Sequence, residues 1–338
     1  MENLTITIAS AECGYTPVMP FIGKRTDGTE CAKQLKLCVE LAALRCGFDV
    51  TDVRETVKEP QDVILPANRS DSIAAVVLSY AAFGSRKNFN DISGCVVHHS
   101  PGRFYNGSRT LCEDVCSKLL MLRDACTAPD GNLGGANCKT AVIDAGYLTY
   151  FDEAKLAVDP DRTNQTAEHI IMGVCENFGM PYILREDVDA YPVFSGSATG
   201  KRGVKIKLVQ AALAANSYDV EIDGIFGKAT ELAFRTFCVN NDVQTSGVTS
   251  EFWNKALLLE KRPIAINSKS AEARYVTRKL RAKLYNATQT DVFDNDTLHA
   301  LNEFLTENGK ARLTNGDIIE SSTYELLSNI GGGRPRLF

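Results

Sequence analysis

Ile73-Ala74-Ala75-Val76-Val77-Leu78-Ser79-Tyr80 is a short run in which apolar residues follow one another without polar alternation. A strand of that kind has no face for water, so it reads as fully buried in a sheet covered on both sides. Its neighbours fit that placement. Leu4–Ala9 (LTITIA) reads as a short strand, and Glu30–Cys46 carries apolar residues at helical spacing before Gly47. Phe48–Val53 is a strand, Gly94–His98 another, and a helix covers about Ser108–Ala125. Lys139–Asp144 (KTAVID) is a further strand, and Thr163–Phe178 a closing helix. Strands alternating with helices define an α/β domain with a mixed or parallel sheet flanked by helices, set at residues 1–185. The Gly/Ser-containing stretch Glu186–Arg202 has no periodicity and reads as a linker.

The whole chain of 338 residues suggests two or three domains. With 44% hydrophobic and 23% charged residues, each can bury its own core. A net charge of −5 gives no electrostatic reason to expect nucleic acid or an anionic membrane as partner. The start MENLTITIAS lacks a basic segment followed by a long apolar one, and no run reaches the roughly 18 apolar residues of a membrane span. Synthesis in the cytoplasm without a signal peptide is therefore expected. The eleven cysteines include no C-x-x-C pair; Cys31, Cys38 and Cys46 lie at helical spacing and read as small buried hydrophobes.

The second half repeats itself. A slide of 67 residues lays Val209 on Val276, Leu213 on Leu280, Tyr218 on Tyr285 and Phe226 on Phe293, then Thr230 on Thr297, Ala233 on Ala300 and Phe237 on Phe304. Each copy reads as three helices, at 203–262 and 268–330, with a tail at 331–338 that reads as flexible. The first copy contains Asp223-Gly224-Ile225-Phe226-Gly227-x-x-Thr230. Gly224 and Gly227 permit a turn with positive φ, Phe226 plugs a small core, and Thr230 can cap the next helix. This resembles the signature of the peptidoglycan-binding domain type 1 family. The resemblance implies that Asp223, Gly224, Phe226, Gly227 and Thr230 border a groove for peptidoglycan. The second copy keeps Phe293 and Thr297 but has Asp291 and Asp294 where the first has glycines. Both copies could instead be spacers or protein-docking modules.

Within the first half, Ala141-Val142-Ile143-Asp144-Ala145-Gly146-Tyr147-Leu148 is followed by Glu153-Ala154-Lys155-Leu156. Together with Ala67-Asn68 before the buried strand, this resembles the zinc-dependent N-acetylmuramoyl-L-alanine amidases of the amidase type 3 family. The resemblance implies a zinc held by three protein ligands, with an open water position and a catalytic acid/base. At the first ligand position this chain has Cys13 in place of His. The second corresponds to Glu30, and the third falls in Ser79-Tyr80-Ala81, which offers no ligand. The acid/base position is Asp144, one methylene shorter than Glu, and a misplacement of about 1 Å can cost about a hundredfold in rate. A rebuilt zinc site of Glu12 or Cys13, Glu30 and one of His98 and His99, with His99 preferred, is the alternative. A Cys13 nucleophile activated by His98 or His99 is a further one. His169 and His299 lie on helices and read as structural or solvent-facing.

The expected protein is thus a peptidoglycan binder with an amidase-like domain that has lost zinc catalysis and needs no cofactor. It would serve as a structural or anchoring component of a phage particle or injection apparatus, reaching the wall after lysis or inside a particle. The other expectation is a divergent zinc amidase, an endolysin or autolysin, cleaving the bond between N-acetylmuramic acid and L-alanine.

Overall fold

The computed structural model describes residues 4–196, 198–288, 290–330 and 333–335. Strand β1 (Thr5–Ser10) leads through a loop to α1 (Gly28–Arg45), then β2 (Asp49–Asp52), α2 (Ile64–Arg69) and β3 (Ala74–Ala81). Next come β4 (Cys95–His98), α3 (Tyr105–Leu119), β5 (Ala125–Ala128), β6 (Lys139–Tyr147), α4 (Phe151–Leu156) and α5 (Pro160–Phe178). The six strands form one mixed sheet in the order β2-β1-β3-β6-β4-β5. Its strands are parallel except where β4 runs antiparallel to β6. The expected α/β sheet flanked by helices is what the chain forms.

Because successive side chains point to opposite faces of a strand, the sheet has two different sides. Ile6, Ile8, Val76, Leu78, Ala141 and Ile143 join the core beneath α1, α3 and α5. Ala9, Ala75, Val77 and Val142 face a thinner cover built from Val63, Ala67 and the Leu133–Cys138 loop. The helix read over Ser108–Ala125 ends at Leu119, and Ala125 opens the edge strand β5 instead. β5 escaped the reading because only its backbone pairs with β4 while its centre, Cys126 and Thr127, stays exposed.

The stretch Glu186–Arg202, expected to be a linker, is packed. Tyr191 is buried, takes a hydrogen bond from Arg45 and lies 4.8 Å from the Trp253 ring. The Trp253 indole donates to the Pro192 carbonyl, and β7 (Phe194–Ser195) pairs with β8 (Gly247–Val248). The first helical unit follows as α6 (Val204–Ala215), α7 (Lys228–Asn240) and, after β8, α8 (Ser250–Ala256). Its core, centred on Phe226, Phe237, Phe252 and Trp253, is continuous with the core under the sheet. Lys207 on α6 reaches Asp49 and the Val50 carbonyl on β2.

After β9 (Ile264–Ala265), the second unit comprises α9 (Ala271–Ala282), α10 (Asn295–Glu307), β10 (Ile318–Ile319, paired with β9) and α11 (Ser321–Ser328). It has its own core of Tyr275, Phe293, Phe304 and Tyr324. It is bolted to α5 by Lys279, whose ammonium meets Asp159 at 2.8 Å and Asp161 at 3.0 Å. The tail was expected to be flexible, but Arg334 pairs with Glu303 and Glu307 and stacks 4.2 Å from the Tyr285 ring. The rest of that tail, 331–332 and 336–338, lies outside the described residues. Among the described residues no helix is long and apolar enough to cross a membrane.

Candidate functional site

At the carboxyl ends of β3 and β6, the parallel register sets Ser79 beside Asp144 on the thinly covered face. Antiparallel β4 pairs Val96 with Asp144, so His98, two residues on, shares the face and lies diagonally across from Asp144. The His98 Nε2 is 3.2 Å from the Asp144 carboxylate, and its Nδ1 is 2.5 Å from Asp130 in the turn after β5. Burial by itself would lower the His98 pKa, but hydrogen bonds to Asp144 and Asp130 outweigh it and hold the pKa above its ordinary value. Asp130 is lowered in return, first through its bond to His98. The arrangement is an imidazole gripped between two carboxylates, able to store a proton beside Asp144.

His98 thus contributes stability that is complete below the unfolded pKa and is lost as pH rises through the raised folded value. An NMR titration of the His98 ring is expected to give a midpoint above 6.5, the ordinary value. Asp144→Asn is expected to bring that midpoint down. A midpoint that does not move in the variant would mean that the Asp144 contact is not formed.

His99 was preferred as a ligand, but the pleat turns it the other way. It is buried, stacks edge-on against Tyr105 of α3 at 5.2 Å, and its Nδ1 has no hydrogen-bond partner among the described residues. Nor does the strand bearing the two histidines lie beside β3, as the rebuilt site requires; β6 separates them.

Cys13 follows β1. Its sulfur accepts from the Tyr80 N–H at 3.2 Å and lies 3.8 Å from the Ser79 hydroxyl. Burial raises the thiol pKa, and the bonds from Tyr80 and Ser79 oppose this without reversing it. A thiol held in that state is a poor nucleophile. The Arg86 guanidinium lies over Gly14, where an added Cβ would fall 1.3 Å from its Nη1. A fixed positive charge next to Cys13 opposes a divalent ion there.

Glu30 does not converge on Cys13. The residues of α1 that meet Cys13 are Gly28, whose added Cβ would fall 2.9 Å from the Cys13 Cβ and 2.3 Å from Leu148, and Thr29, whose hydroxyl accepts from the Cys13 N–H and donates to the Cys13 carbonyl. Two residues along a helix is about 200° of rotation. Glu30 therefore points outward, 66% exposed at the side chain, and pairs with Lys33 at 2.8 Å. Cys13, Glu30 and His99 occupy three separate places, and among the described residues no three His, Cys, Asp or Glu side chains converge as a metal site would need. The residues present do not fit a zinc ion. His169 bonds the Gln165 carbonyl within α5, and His299 lies exposed near Glu303.

In the first helical unit the Asp223–Thr230 loop is organised by a residue not singled out from sequence. Gln210 on α6 is buried; its Nε2 donates to Asp223, the Ile225 carbonyl and Thr230, and its Oε1 accepts from the Gly224 N–H. Gly224 has φ of 75°, as the turn requires, whereas Gly227 is extended at −87° and an added Cβ there would make only ordinary contact with the Ile225 carbonyl at 4.0 Å. Thr230 lies inside α7, buried, and donates to the Ile225 carbonyl instead of capping the helix. Phe226 is buried against Phe234. Of the five motif residues, Asp223 is the one left exposed. The signal for Gln210 was a lone amide in the apolar run Leu208-Val209-Gln210-Ala211-Ala212.

No protein-family model matches the chain, and no curated protein matches it. Among solved structures it is similar to N-acetylmuramoyl-L-alanine amidases. That of Clostridium difficile 630 is 19% identical, with a TM-score of 0.43, covering 53% of this chain and 98% of that one. AmiC2 of Nostoc punctiforme is 18% identical, with a TM-score of 0.43, covering 52% and 97%. Ami1 of Mycobacterium smegmatis is 14% identical, with a TM-score of 0.42, covering 53% and 99%.

Proposed function

We propose that this protein binds peptidoglycan without zinc catalysis, using the first helical unit as the wall-binding module and the α/β domain as its scaffold. The observation that carries the reading is the intact Asp223–Thr230 loop, pinned by Gln210, in a chain whose candidate metal donors are scattered. The second unit is a copy of the first. In support, α9 and α10 begin 67 residues after α6 and α7 and match them in length, 12 and 13 residues. Its loop has Thr277 where the first has Gln210, and Asp291 in place of Gly224, so it contributes packing more than ligand contact. Fused to the scaffold by a shared core, the module cannot swing on a tether. That suits a fixed anchor in a larger assembly, such as a phage particle or injection apparatus.

Sedimentation with purified sacculi tests the binding. Wild-type protein is expected in the pellet with or without a chelator, and Asp223→Ala is expected to weaken retention severalfold. Protein that stays in the supernatant would refute wall binding. The divergent-amidase reading draws on one feature, the Asp130–His98–Asp144 chain, which offers acid/base chemistry without offering a metal site.

A further inference from the structure

Between α1 and α9 runs a cleft of about 390 Å³, the size of a small-molecule site. Its lining includes Arg25, Arg274, Arg278 and Arg281, together with Glu30 and Cys31. Arg274, Arg278 and Arg281 fall at i, i+4 and i+7 on α9, so the helix period brings them onto one stripe. Their circumstances differ. Arg274 is tied to the Gln34 amide at 2.6 Å and to Asp291 at 3.4 Å. The guanidinium groups of Arg25, Arg278 and Arg281 have no hydrogen-bond or ion-pair partner among the described residues. Three carboxylates also line the cleft, and each is engaged elsewhere: Glu30 pairs with Lys33, Asp291 with Arg274, and Asp27 caps α1 by accepting from the Thr29 N–H.

Partly buried, unpaired guanidinium groups cost folding free energy unless something neutralises them. The local electrostatics agree. Burial and then the Arg278 charge depress Arg274 to about 10, and burial foremost lowers Arg281 as well. Guanidinium forks match oxyanions in planar, bidentate geometry.

We infer that the cleft between α1 and α9 is a binding site for an oxyanion-bearing ligand, held by Arg278 and Arg281 with Arg25 at the rim. The natural source follows from the wall-binding reading, on which this part of the inference rests. It is either a carboxylate of a murein peptide or a phosphate of a wall polymer. The site joins the scaffold to the second helical unit, so a bound anion would also tighten that junction.

Calorimetric titration of the full chain at low ionic strength tests this, with a soluble muropeptide in one arm and inorganic phosphate in the other. At least one probe is expected to bind saturably; the muropeptide alone identifies the carboxylate source, and phosphate alone the phosphate source. R278A/R281A is expected to weaken that binding at least about tenfold, which is about 1.4 kcal/mol. The single R281Q, which keeps a long polar side chain, is expected to weaken it about threefold or more and serves if the double variant does not fold. Absence of saturable binding with both probes, or wild-type affinity in the variants, would overturn the site. Sacculus retention without anion uptake would sink this site and leave wall binding standing; anion uptake without retention would do the reverse.

Discussion

Lys279→Ala is expected to lower the unfolding free energy by about 3–5 kcal/mol, the usual effect of removing one partner from a buried ion pair. The Lys279 side chain is 0% exposed, and Asp159 beside it is 1% exposed. Asp159 also caps α5 by accepting from the Asp161 and Arg162 amides, so its carboxylate cannot turn toward water without uncapping that helix. Truncation would therefore strand a buried carboxylate at the seam between the second helical unit and α5. The Tyr275 hydroxyl, 2.8 Å from Asp161, would be the sole remaining polar tie from α9 at that carboxylate. Equilibrium unfolding in urea reads the effect. A loss under about 1 kcal/mol would mean that the seam is not formed as described.

Gln210→Ala is expected to cost about 3 kcal/mol and to abolish retention on sacculi. Its amide satisfies a buried backbone N–H and holds three acceptors, and each buried polar group left unpaired costs about 1–3 kcal/mol. The corresponding residue of the second unit provides an internal control. Among the described residues Thr277 makes a single side-chain bond, to the Ala273 carbonyl one turn back, so Thr277→Ala is expected to cost about 1 kcal/mol or less. Similar losses for the two variants would contradict the role given to Gln210.

The α/β architecture was legible because its signal is periodicity. A run as short and as rich in valine and isoleucine as Ile73–Tyr80 fits a strand in a covered sheet. The site was less legible, since it depends on which way side chains point across elements distant in sequence. His98 and His99 are adjacent in sequence, yet the pleat sends one to Asp144 and the other under α3. Glu30 has the right chemistry near the right helix end, but Gly28 and Thr29 are the residues that meet Cys13. Asp130 was missed because β5, the strand that presents it, is too short and exposed to show a pattern. In the Asp223–Thr230 loop the turn at Gly224 and the core plug Phe226 were legible, while the extended Gly227 and the place of Thr230 inside α7 were not. The loop's hub, Gln210, sits 13 residues upstream of Asp223.

The central claim of the proposal concerns coordination: Cys13, Glu30 and the histidines do not come together as a zinc site needs. Metal analysis of the protein after equilibration with zinc and dialysis, run alongside an assay for new L-alanine amino termini released from sacculi, tests it directly. We expect no stoichiometric zinc and no release. One zinc per chain, with release that a chelator abolishes, would contradict the claim.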